Sequence, residues 1–218
     1  MLDKTKLITA ASINPVTLTE ARAHLRITDT SEDTLISTLI GVATEYAEKR
    51  TGRALISQTW ELYLDNFPYG ANYVSESPDY NQKYIDNIEE SQFIEMKFPP
   101  LASVTSITYY DSNNALQTFA ASNYDVDIIR QPGMIRLGYG KSWPSTYYRP
   151  NAVIIRYVAG YGSATTDIPE PIRAAIKLLV SFFFENREAV TTFNTVQQIP
   201  IPQVIEDLLN QYCLRERC

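Results

Sequence analysis

The chain has 218 residues, enough for one large domain or two small ones. Hydrophobic residues make up 44% and charged residues 20%, which excludes wholesale disorder. The formal charge of −6 argues against a free-standing duplex-binding domain, which carries a basic face, but not against a channel through which DNA slides. A single histidine, His24, excludes zinc sites built on two imidazoles. Two cysteines, Cys213 and Cys218, are too few for a disulfide framework and fit reduced thiols. The longest apolar run, Leu178 to Phe184, is broken by Ser181 and falls far short of the ~20 residues that cross a bilayer. The first ten residues lack the apolar run of a leader, so none is expected, and no membrane contact follows.

In chain order, residues 15–52 carry helical spacing. Thr17 and Glu20 form a capping box ahead of Leu18, Ala21 and Leu25, predicting a helix to about Ile27. Ser31 is the natural N-cap of a second helix. Its stripe Leu35, Leu39, Val42 and Tyr46 lies beside a second, Ile36, Ile40, Ala43 and Ala47, so it should be contacted on two sides. Lys49, Arg50 and Gly52 close it.

Residues 55–160 alternate apolar and polar side chains between turn residues, predicting strands over 56–65, 93–98, 104–110, 124–128, 134–137 and 153–158. Gln131, Pro132 and Gly133 read as a turn in which glycine supplies a positive φ. Residues 68–91 hold four tyrosines among polar residues and read as a projecting loop. A third helix opens at Pro169, Glu170 and Pro171 and is apolar nearly all round, through Ile172, Ile176, Leu179 and Phe182 to Phe184. A short helix over about 202–212 presents Val204, Ile205, Leu208, Leu209 and Tyr212, ahead of a free tail at 215–218. The fold class expected is α+β. Residues 15–54 and 165–214 form a helical domain, and 55–164 form an inserted antiparallel β domain.

Candidate chemistry is sparse. Gly140, Lys141 and Ser142 imitate the end of a phosphate-binding loop, but Ile135 stands where the pattern needs glycine, and Trp143 and Pro144 follow. Asp125 and Asp127 share a strand face and could bind a cation, or simply be solvated. Arg22, Arg26, Lys49, Arg50 and Arg53 could form a basic patch facing DNA or a partner. No catalytic constellation, cofactor or metal is expected. The excess of apolar helix surface suggests a subunit interface on the second and third helices, at Ile40, Tyr46, Phe182 and Phe184.

The run Pro15 to Arg26 resembles the start of the phage head–tail connector (adaptor) family, in the branch with a β insertion often labelled as possible DNA-packaging proteins. Glu45 to Glu48, Thr51 to Ile56 with Gln58 to Trp60, Phe98 to Leu101 with Ser103 to Ile107, Gly160 to Gly162, Ile168 to Ile172 and Glu185 to Glu188 agree in order. The resemblance implies a structural, non-enzymatic subunit of the virion, made in the host cytoplasm. It further implies a twelve-fold ring under the portal protein, with double-stranded DNA passing through and a stopper or tail-completion protein attached beneath. By the same analogy the C-terminal segment contacts the portal, through Leu208, Leu209, Tyr212, Arg215 and Arg217. Alternatives are a tail-side completion protein, a DNA-packaging factor, and a metal-dependent nuclease using Asp125 and Asp127.

Overall fold

Thr17 opens the first helix as its sequence requires. In the computed structural model, which describes residues 4–68, 93–186 and 200–214, its hydroxyl accepts from the Glu20 amide at 3.2 Å. The Glu20 carboxylate accepts from the Thr17 amide in return, closing the capping box of α1 (Leu18–Leu25). The helix ends before Ile27 because Arg26 turns into the left-handed region at φ 58°. Helix α2 (Asp33–Thr51) starts later than expected. Ser31 is not its cap, because both its amide and its hydroxyl bind the Asp29 carboxylate; Glu32 takes the cap position without a side-chain bond. Gly52 terminates α2 at φ 71°. Helices α3 (Glu170–Glu185) and α4 (Gln203–Asn210) each follow a proline cap.

These four helices lie in one compact unit, Ala11–Ile56 with Tyr161–Cys218. Its core joins Ile36, Ile40, Ala43 and Ala47 of α2 to Ile172, Ala175, Ile176 and Leu179 of α3, with Ile205 and Leu209 from α4. Each large aliphatic side chain fully removed from water contributes about 1.5–3 kcal/mol. Of the two apolar stripes on α2, the inner is consumed in this core and the outer is left half-covered, with Val42 exposed.

The second unit is Met1–Ala10 with Ser57–Gly160. Strands β1 (Lys4–Thr9), β2 (Gln58–Leu64), β4 (Leu101–Tyr110), β5 (Leu116–Phe119) and β8 (Val153–Ala159) form a five-stranded antiparallel sheet in the order β1-β2-β8-β4-β5. Strands β3 (Phe93–Glu95), β7 (Met134–Leu137) and β6 (Tyr124–Asp127) form a three-stranded one. In the larger sheet Leu62, Ile155 and Ile107 stand in register and are buried, whereas the next row holds polar residues, Ser106, the exposed Arg156 and its buried ion-pair partner Glu61. A one-residue slip would exchange these rows, so burial fixes the register. Gly133 corrects the turn reading. Its φ is not positive; glycine is needed there because a Cβ would stand 2.7 Å from the Leu101 side chain. The class is α+β, with helices and antiparallel sheets in separate units.

Candidate assembly interface

Helix α4 is fastened to α2 by a polar clamp beside the apolar contact. Tyr46 and Arg50 lie one turn apart on α2 and meet Glu206 of α4. The Tyr46 hydroxyl donates to one Glu206 oxygen, and Arg50 Nε donates to the other at 2.7 Å. Arg50 Nη2 also donates to Asn210. Burial, then the Glu206 carboxylate, pushes the Tyr46 phenol up to about 12. Burial pushes Glu206 up, but the bonds from Arg50 and Tyr46 outweigh it and hold the carboxyl below its ordinary value. Beyond the helix, Arg53 Nε donates to the Tyr212 carbonyl at 2.6 Å.

This geometry redistributes the expected portal-contact residues. Leu209 is fully buried in the chain's own core, where the helical phase of α4 places it. Leu208 and Tyr212 are half-buried at the margin of that core and keep surface for a partner. Arg215 and Arg217 lie outside the described residues. The expected subunit-interface set divides similarly. Ile40 is 2% exposed, inside the core of its own subunit. Tyr46 is half-buried with its hydroxyl engaged by Glu206, and Phe182 and Phe184 are half-buried on α3. Around Phe182 the apolar surface continues through Phe183, 5.8 Å away between ring centroids.

The five basic residues do not form one free patch. Arg53 is 9% exposed and bonds the backbone, and Arg50 belongs to the clamp. Arg22 donates to the Thr28 carbonyl at 2.8 Å and lies 3.5 Å from the Asp33 carboxylate. Lys49 is exposed but paired with Glu45 at 2.6 Å, while Arg26 is exposed at the end of α1. Most of these cations therefore serve the fold. For Arg50 and Arg53 sequence spacing could not reveal this, because their partners Glu206 and Tyr212 lie far along the chain.

A second polar junction was also hidden in the sequence. The Arg173 guanidinium of α3 donates to Glu20 and Glu170 and to the Pro15 carbonyl. The Thr17 amide, with smaller contributions from the Thr17 hydroxyl and Arg173, holds Glu20 below the ordinary carboxyl value despite burial. This ties α1 to α3. In the β unit, the Asp127 carboxylate accepts from the Ile129 and Arg130 amides and so shapes a turn, while Asp125 faces solvent. Among the described residues no group of three or more His, Cys, Asp or Glu could hold a metal ion, and no helix is long and apolar enough to cross a membrane. Cys213 is disulfide-bonded, against the expectation of reduced thiols; the other cysteine of the sequence, Cys218, lies outside the described residues.

The stretch that begins at Pro15 carries α1, the clamp residues of α2 and strand β2. Residues 15–96 match the phage gp6-like head-tail connector protein family. The resemblance drawn from the sequence is thus found again over this stretch. No curated protein matches the chain. Among solved structures, the chain is similar to one from the neck of an empty gene transfer agent (GTA) particle computed with C6 symmetry. The TM-score is 0.70 at 20% identity, covering 96% of this chain and 95% of that one. A chain of the native GTA virion aligns at TM-score 0.68 and 19% identity, covering 98% and 95%. One from the neck of the native particle computed with C12 symmetry gives 0.65 and 20%, covering 96% and 94%. At such identities the likeness is one of fold, and it extends over both units.

Proposed function

We propose that this chain is a structural head–tail connector subunit of a tailed phage or phage-like particle. It forms a closed ring under the portal, through which the genome passes and to which a stopper or tail protein attaches. The observation that carries this reading is the family match at residues 15–96. The full-length likeness of fold to chains from particle necks with C6 and C12 symmetry supports it. Ring subunits meet through heterologous surfaces, which close when the rotation closes. The surfaces available for that contact are the outer stripe of α2 with Val42 and the half-buried Phe182 and Phe184 of α3. Leu208, Tyr212 and the chain beyond them are the surface proposed to meet the portal. The acidic balance, −6 overall, limits adhesion to the DNA in transit.

The reading is tested by purifying particles and asking whether the chain is present between head and tail in ring stoichiometry. Its absence, or a position on the tail side away from the portal, would overturn it. A nuclease is disfavoured because Asp125 lies on the solvent face and Asp127 is occupied by backbone amides. Magnesium-dependent cleavage of duplex DNA that disappears in Asp125→Ala would reverse that judgement.

A further inference from the structure

The connection between β7 and β8, residues 138–152, has no helix or strand and yet is pinned along its length. Structureless connections of about 12–15 residues are uncommon in compact domains and are usually functional. At its start, the Lys141 amide donates to the Gly138 carbonyl at 3.1 Å, closing a turn with Gly140 at φ 69°. That turn lifts Tyr139 fully into solvent. In the middle, Trp143 stacks on Phe67 with ring centroids 4.8 Å apart and lies 5.4 Å from Phe119. Further on, the Tyr147 amide donates to the Tyr110 carbonyl at 3.0 Å. The Arg149 guanidinium sits 3.9 Å over the Tyr110 ring and donates to Asn114. Finally, the Asn151 amide donates to Asp65 at 2.8 Å. Between these anchors Tyr148 is 95% exposed and Tyr147 45%.

Three bulky aromatic side chains are therefore held out in water by a backbone that is already ordered. An ordered loop gives up little conformational freedom on binding. Tyrosine and arginine are the side chains that dominate protein–protein hot spots.

The charge of this region is one-signed. From Ile128 to Gly160 the sequence has no acidic residue and five basic ones, Arg130, Arg136, Lys141, Arg149 and Arg156, so the remainder of the chain is more acidic than its net −6. Duplex DNA is a poor fit. Arg156 is paired with Glu61, Arg149 and Arg130 lie over the rings of Tyr110 and Phe93, and Arg136 stands opposite Asp125. Too few cations remain to track several phosphates. The loop itself carries two cations, Lys141 and Arg149, and no carboxylate, too few for a duplex but complementary to another copy of an otherwise acidic chain, and such charge segregation sets the direction of head-to-tail contacts.

We infer that the 138–152 loop docks on the acidic surface of a second copy, giving the ring a subunit contact in its β units besides any between helices. This rests on the connector reading. The test places the photocrosslinking residue benzoylphenylalanine at Tyr139 or, separately, at Tyr148, and irradiates purified particles. The expected product is a dimer of this chain whose crosslinked peptide, mapped by mass spectrometry, is acidic, reduced at least tenfold by Arg149→Glu with Lys141→Glu. Crosslinks to another particle protein, crosslinks to DNA, or no crosslink from either position would overturn the inference while leaving the connector reading intact. Absence of the wild-type chain from particles would instead sink the connector reading. Irradiating the concentrated soluble protein then decides the self-contact on its own, with a dimer through the loop supporting it and none refuting it.

Discussion

Replacing Leu209 and Leu208 separately by alanine distinguishes a residue that holds α4 in place from one that faces a partner. Helix α4 has eight residues and no side-chain cap, too short to persist alone in water. It is held by Ile205, Leu209 and the Glu206 clamp. Leu209 is fully buried, so Leu209→Ala loses both the transfer free energy and the contacts lining the resulting cavity, together about 2–5 kcal/mol. The clamp pair is about a quarter exposed on each side, so water screens it and its contribution is about 1 kcal/mol. Losing Leu209 thus removes a large part of what fastens α4. At 3 kcal/mol the docked-to-undocked ratio falls by about a hundredfold. Hydrogen exchange of the amides in 205–210 should accelerate by that factor, while α2 and α3 stay protected. Leu208→Ala should cost about 1 kcal/mol or less in the free chain, because that side chain is half-buried, and should weaken portal binding instead. Unchanged exchange in Leu209→Ala, or equal destabilisation by both substitutions, would refute this division of roles.

Other outcomes follow from the polar junctions. Glu206 titrates below its ordinary value near 4.5, so the clamp's stabilisation is complete above that pH and is lost as pH falls through the lowered value. Glu206→Gln should loosen α4 at neutral pH and flatten its acid dependence, read by exchange from pH 7 to 3; a wild-type acid profile in the variant contradicts the assignment. Arg173→Met should destabilise the chain to urea by about 1–3 kcal/mol, since it strips partners from Glu20 and the Pro15 carbonyl. A midpoint shift too small to measure would show that the junction is incidental. Gly162→Ala should cost about 1–3 kcal/mol, because a Cβ would stand 2.0 Å from Asp167 Oδ2, the acceptor for the Ala164 amide. Wild-type thermal stability there would mean that the segment repacks freely.

Local signals were the legible ones. The capping box at Thr17, the glycine stop at Gly52 and the proline entry to α3 depend on neighbours within four residues, and each is found where the sequence places it. Period two marked the central strands because β8 alternates burial at Val153, Ile155 and Tyr157. Strand β1 escaped notice because it is a sheet edge with no buried face, and its lysines are typical of protected edges. Strand β5 is four residues long, mostly exposed, and defined by its hairpin with β4. The site was less readable. Nothing in the pattern of Arg50 and Arg53 reveals that Glu206 and the Tyr212 carbonyl, more than 150 residues away, claim them. Likewise Leu208 and Leu209 are chemically identical, and only the phase of α4 against α2 and α3 decides which is core.

Electron microscopy of the particle, or of this chain mixed with its cognate portal, would show where the chain sits. The expected image is a closed ring of the chain stacked on the portal, with DNA in its lumen and the segment from Leu208 onward at the portal contact. A particle whose neck lacks the chain, or a ring seated only on the tail side, would contradict it.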